Sequence, residues 1–412
     1  MKKLYLCLIL ELCVLTMSQR TILDIPILTC IYREYRHWIT QTYGTSSEER
    51  MSQLRENNRL QDEIPIDVSF PCNVTAGRSS KYPESVHHLK PGDIDVIAAM
   101  GDSVTIGAGV TSRYTLEVNI ENRGIVGSIG GQGTWRQYLT LPNILKEFNP
   151  KLVGYSLGDS ISIDPAAQLN VAEIGAMSRD ITFMATYLVN KIKEDPRIDI
   201  NKHWKLITLM IGNNDFCTNM CATSSPWNML NDHKIDLINT LRILRDNLPR
   251  TFVALIPPPH LEALVNARQG RDVSSCYLPS MLECSCMFAL QFRHQRLEYY
   301  KIMERWQEIE REVANYSEFH RNDFTVEILP TLENAQIPLA EDGFTDFSYF
   351  NADCFHWSQK LHAVYGNSLW NNLLEPDGKK TRGFTTLFKN FQCPTSERPF
   401  LTTYKNSHNR ET

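Results

Sequence analysis

What most constrains this chain is a series of short apolar runs with almost no alternation. They are Ile94 to Met100, LVGYSL at 152–157, QLNVAEI at 168–174, WKLITLMIG at 204–212, TFVALIPP at 251–258 and FTVEILP at 324–330. A strand with one wet face alternates apolar and polar residues, whereas an unbroken run has both faces covered. Between the runs, apolar residues recur every three or four positions at 133–148 (with Pro142 as a break), 177–195, 233–248, 292–316 and 358–374. Strands alternating with helices imply an α/β fold, a mostly parallel sheet with helices on both faces.

Two more helical segments, 27–43 and 46–63, lead into a loop punctuated by Pro65, Pro71, Pro83 and Pro91. The length of 412 residues suits one large domain. The reading is a leader at 1–18, a helical extension and lead-in loop at 19–90, and one α/β domain at 91–412. A net charge of −5 with no basic block gives no reason to expect a nucleic-acid partner.

The leader starts with Lys2 and Lys3. It continues through an apolar stretch from Leu4 to Met17, interrupted by Glu11, to the small residues Thr16 and Ser18. This is a signal-peptide pattern, with an uncleaved signal anchor as the alternative. No second apolar segment of spanning length follows, so a secreted, extracellular chain is expected. Of the 11 cysteines, Cys7 and Cys13 lie in the leader, which leaves an odd number to pair. Cys217 with Cys221 is the nearest pairing; Cys276, Cys284 and Cys286 form a second cluster. Asn73-Val74-Thr75 and Asn315-Tyr316-Ser317 are glycosylation acceptors.

In a parallel sheet, reactive groups gather beyond the carboxyl ends of the strands. There the chain carries Gly101-Asp102-Ser103, then Gly175, then GNNDF from Gly212 to Phe216, and much later Asp353 and His356 in FNADCFHWS. Acyl transfer needs this set. A serine hydroxyl attacks only when a base takes its proton, an acid orients that base, and aimed donors hold the oxyanion. Each residue alone also has a structural reading. Ser103 could cap a turn, Asp353 could cap a helix starting near Ser358, Asn214 and Asp215 could make a turn, and His356 could be packed. GYSLG at 154–158 fits a nucleophile elbow, but DSISIDPAA after it does not begin the helix an elbow needs. A second Gly-Asp-Ser at 158–160 lacks a glycine-rich continuation. His260 also follows a strand and could line a pocket, but with no aspartate partner nearby it reads as structural; Trp135 and Trp357 could each shape an acyl-chain site, with core packing the default for both; and His87-His88 has no evident metal partners.

The blocks GDSVT, NVAEIGAMSRD, GNNDF and DCFH resemble, in order, those of the GDSL or SGNH hydrolases. PESVHHLKPGDIDVIAAMGDSVTIGAG, LPNILKEFNPKLVGYSLG, HWKLITLMIGNNDFC and DCFHWSQKLHAVYGNSLWNNLLEP resemble the phospholipase B branch, over about Pro83 to Ser407. The resemblance implies a three-layer α/β/α sandwich. It implies Ser103 as nucleophile and Asp353 and His356 as the rest of the triad. Gly175 and Asn214 would form the oxyanion hole with the Ser103 amide. No metal or cofactor is implied. The substrates would be phospholipids and lysophospholipids met at a lipid interface by a peripheral enzyme. Val104 replaces the leucine of the GDSL block, and Asn213 stands at a variable, harmless position. A carboxylesterase for other lipid or small acyl esters is the second reading, and a non-catalytic lipid-binding protein the third.

Overall fold

The computed structural model describes residues 26–268 and 274–408; the leader lies outside them. Four strands, β1 (Ile94–Gly101), β2 (Trp204–Met210), β3 (Thr251–Leu255) and β4 (Phe324–Ile328), lie side by side in that order, all parallel. Gly101 pairs with Met210, and Leu255 pairs with Leu209 and Ile328, so all four carboxyl ends reach one edge.

Every residue of β1, β2 and β3 is buried, as runs without alternation require. The helices in chain order are α1 (Pro26–Tyr43), α2 (Glu48–Glu56), the single turn α3 (Ser103–Ile106), α4 (Leu141–Phe148), α5 (Ile181–Glu194), α6 (Asn228–Asn247), α7 (Arg296–Ala314) and α8 (Gln359–Leu374). Successive strand residues face opposite ways. Ala98, Ile207 and Val253 pack with Leu188 of α5, Leu241 of α6 and Trp306 of α7. Ile97, Leu206 and Phe252 pack with Ile144 of α4 and Leu369 and Trp370 of α8. This is the three-layer sandwich. Each fully buried leucine among these contributes about 1.5–3 kcal/mol.

Three expectations need correction. The runs at 152–157 and 168–174 are not full strands but isolated bridges, Val153 to Val96 and Asn170 to Ala99. They cover the outer edge of β1 in two pieces, with Ile97 donating to the Val153 carbonyl at 2.9 Å and Ala99 to that of Leu169 at 3.1 Å. The break lies at Gly154, where φ is +97° and a Cβ would stand 2.2 Å from the Ile97 carbonyl oxygen. The chain turns away there and rejoins the edge at Leu169. Pro142 breaks no helix; it sits in the first turn of α4, where its missing N–H costs nothing, and Thr140 Oγ1 caps that turn.

The cysteine pairing is the third. Cys217 and Cys221 do not bond each other; the disulfides are Cys217–Cys284, Cys221–Cys286, Cys276–Cys354 and Cys72–Cys393. Cysteines one helical turn apart stand side by side, so each meets a sulfur on a facing segment. Cys30 is disulfide-bonded too, so the odd count leaves no free thiol among the described residues.

The N-terminal helices pack on loops beyond the carboxyl edge. Tyr32 of α1 donates to Asn119 at 2.6 Å, and Arg50 of α2 forks onto Glu117 at 2.7 and 2.9 Å. No described helix is long and apolar enough to cross a membrane.

Candidate active site

β1 hands over to Asp102, whose extended backbone caps α3. One Asp102 oxygen accepts the Val104 N–H at 3.0 Å and the other the Asn213 side-chain amide at 2.9 Å. Ser103 is thereby the first residue of a helical turn, not its cap, and only 5% exposed.

The partner groups come from a tight loop before α8. Asp353 Oδ1 accepts the N–H groups of Phe355 and His356 at 2.7 and 2.8 Å, which closes the turn. Its Oδ2 stands 2.6 Å from His356 Nδ1, and His356 Nε2 stands 2.9 Å from Ser103 Oγ. Asn351 pins this loop to the serine loop by donating to the Ala108 carbonyl at 3.0 Å. Asp353 caps its own turn; Ser358 occupies the cap position of α8. The structure thus brings Ser103, His356 and Asp353 into one hydrogen-bonded line.

Burial lowers the His356 pKa, but the Asp353 charge, its hydrogen bond, Glu283 and Asp102 outweigh it and raise it to about 9. Burial raises the Asp353 carboxyl, and His356 with the turn amides brings it below its ordinary value. Asp102 is pushed up by burial to about 6, against the donors Asn213 and Val104.

Gly175 and Asn214 come together with each other. Asn214 Nδ2 donates to the Ala176 carbonyl at 2.9 Å, and the Ser178 N–H to Asp215 at 3.0 Å, so the two loops are stitched side by side. Gly175 has φ +73° and open space where a Cβ would be. A cleft opens onto Ser103, Asn213 and His356 and is otherwise walled largely by apolar groups such as Val104, Leu264, Ile337, Phe355 and Phe384. Gly175 and Asn214 stand outside that lining.

His260 and Trp357 also line the cleft, the former with a ring N–H on the Tyr300 carbonyl at 3.1 Å. Trp135 packs in the core against Phe70. The rival serines are structural: buried Ser156 donates to the Ala167 carbonyl and Ser160 to that of Gly158, both at 3.1 Å. His87 bonds Thr403 at 2.9 Å, and among the described residues no cluster of three metal-ligating side chains occurs. Asn213 is not the harmless position expected. It lines the cleft and holds Asp102, a partnership across 111 positions that no local pattern reveals.

The GDSL-like lipase/acylhydrolase family matches residues 97–369. This chain belongs to that family. The membrane-associated phospholipase B1 of Rattus norvegicus is 40% identical to it over 335 residues, 80% of this chain and 22% of that one. The Homo sapiens protein of the same name is 37% identical over the same shares, and that of Mus musculus 38% over 337 residues. The chain therefore spans under a quarter of the length of these relatives. Among solved structures, phospholipase A1 from Streptomyces albidoflavus NA297 aligns with a TM-score of 0.30 and 15% identity, over 67% of this chain and 97% of that one.

Proposed function

We propose that this chain is a secreted serine hydrolase that removes acyl chains from glycerophospholipids and lysophospholipids. The observation that carries the reading is the Ser103–His356–Asp353 line at 2.9 and 2.6 Å, opening into a largely apolar cleft. The named relatives, phospholipases B1, support the substrate class.

In this reading His356 Nε2 takes the Ser103 proton as the hydroxyl oxygen attacks the ester carbonyl. Asp353 holds the imidazole tautomer and stabilises the imidazolium. The Ser103 amide, the Gly175 amide and the Asn214 side chain receive the oxyanion, each donor contributing about 2.7–4 kcal/mol to the transition state. His356 then protonates the leaving alcohol, and water resolves the acyl-enzyme by the same route. The apolar walls take the acyl chain, and the protein meets its lipid at an interface as a peripheral enzyme.

Secretion fits the disulfides and the two acceptor asparagines, Asn73 and Asn315, both exposed. The domain plan in this proposal is a cleaved leader, a helical extension and one hydrolase domain. The test is hydrolysis of a phosphatidylcholine with two different chains, read by mass spectrometry, with wild type beside Ser103→Ala. Serine-dependent release of fatty acid and then glycerophosphocholine is expected. Release from a small acyl ester but from no phospholipid would replace this reading with a carboxylesterase.

A further inference from the structure

A buried charge cluster lies where α1 meets the loop that carries Gly175. Arg36 of α1 bonds Glu121 through Nε at 2.7 Å and again through Nη2, and its Nη2 reaches Glu173 at 2.9 Å. Arg123, fully buried, bonds the other oxygen of Glu121 at 2.6 Å and the Ala172 carbonyl at 2.9 Å. Ser162 donates to the second oxygen of Glu173. The Glu173 N–H pairs with the Gly101 carbonyl at 3.2 Å, two residues before Ser103, and the Ala176 N–H closes back on the Glu173 carbonyl at 3.3 Å. Gly175 therefore sits in a turn whose first residue is anchored at both its backbone and its side chain, and whose far side is held by Asn214.

Arg36, Glu121 and Arg123 are buried and Glu173 is only about 21% exposed, so the set is stable only when complete. Removing one cation leaves a buried charge uncompensated, which costs far more than the pair contributes. Burial pushes the Glu173 carboxyl up, and Arg36 and Arg123 outweigh it and hold it below its ordinary range. Arg36 is the one member of the set that lies outside the residues matched by the family, 97–369.

We infer that Arg36 is a positioning residue for the reaction: through Glu173 it fixes the turn bearing Gly175, so the N-terminal helix is part of the catalytic apparatus. The inference rests on the assignment of Gly175 to the oxyanion hole. A misplacement of about 1 Å can cost an oxyanion donor up to about 100-fold in rate, while ground-state binding of the ester in its apolar cleft hardly changes.

The experiment uses the full chain with Arg36→Ala, Arg36→Lys and the double variant Arg36→Ala/Glu173→Gln. It reads kcat and KM on a soluble short-chain nitrophenyl ester, hydrogen exchange over residues 172–178, and the thermal midpoint. Arg36→Ala is expected to lower kcat roughly 10- to 100-fold with KM within about twofold, and to speed exchange over 172–178. Glu173→Gln in that background removes the orphaned charge and is expected to restore part of kcat. If Arg36→Ala does not fold, Arg36→Lys carries the test, since a lysine keeps the charge but cannot fork onto both carboxylates. Folded Arg36→Ala with kcat within twofold of wild type and unchanged exchange overturns the inference alone. Equal turnover by wild type and Ser103→Ala overturns the catalytic reading, and the positioning role with it.

Discussion

Asp353 spends its two oxygens on different tasks. One closes the turn through the Phe355 and His356 amides, and the other orients His356. In the proposed mechanism His356 must be neutral to act as a base, and its pKa is raised to about 9, so kcat/KM should climb with pH toward that value and level off above it. In Asp353→Asn the largest attraction is gone, only those of Glu283 and Asp102 are left, and the lowering effect of burial remains. The limb should then move to lower pH while the plateau falls by about 10⁴-fold, as loss of the triad acid does elsewhere. A pH–rate profile of both proteins checks the direction; a limb that moves up in the variant would contradict the assignment. Ser103→Ala should end turnover and leave the thermal midpoint nearly unchanged, since the Ser103 backbone keeps its place behind the Asp102 cap. Asn213→Ala removes one of the donors on buried Asp102 and should cost about 1–3 kcal/mol in urea unfolding. The Ser103–His356–Asp353 line was legible because acyl transfer needs those residue types, and a parallel sheet gathers such groups beyond its carboxyl edge. Asn213, Arg36 and Glu173 were not, because each is defined by a partner far away in the chain.

At the level of elements, unbroken apolar runs located all four strands, since burial on both faces leaves that mark in composition alone. The same mark misled at 152–157 and 168–174. Those segments are as apolar as strands because they cover β1, yet Gly154 turns the chain off the edge between them. Periodicity sees burial but not hydrogen-bond continuity. Gly154→Ala would force a side chain into a left-handed backbone against the Ile97 carbonyl. It should destabilise the protein by roughly 1–3 kcal/mol, read by denaturant midpoint, with kcat of the folded fraction kept. Unchanged stability would mean the edge pieces are not held as described.

Over the whole molecule, Ser103 and His356 lie 253 positions apart, and the sheet brings them together. Cysteine connectivity was illegible for the same reason: spacing along the chain favoured Cys217 with Cys221, and the facing segments decide otherwise. Those segments form a covalent strap. Residues 276 to 286 are tied by Cys276 to Cys354, next to Asp353, and by Cys284 and Cys286 to the turn that follows Asn214. The strand pairing itself runs through none of these bonds, so mild reductant should abolish ester cleavage while far-ultraviolet circular dichroism is largely retained. Loss of both together would tie the strap to the core instead. If the proposed lipolysis holds, it waits for oxidation. A newly made chain with its thiols still reduced would carry a finished scaffold and an unfinished blade, and the membranes of the cell that makes it would be spared until the bonds had closed.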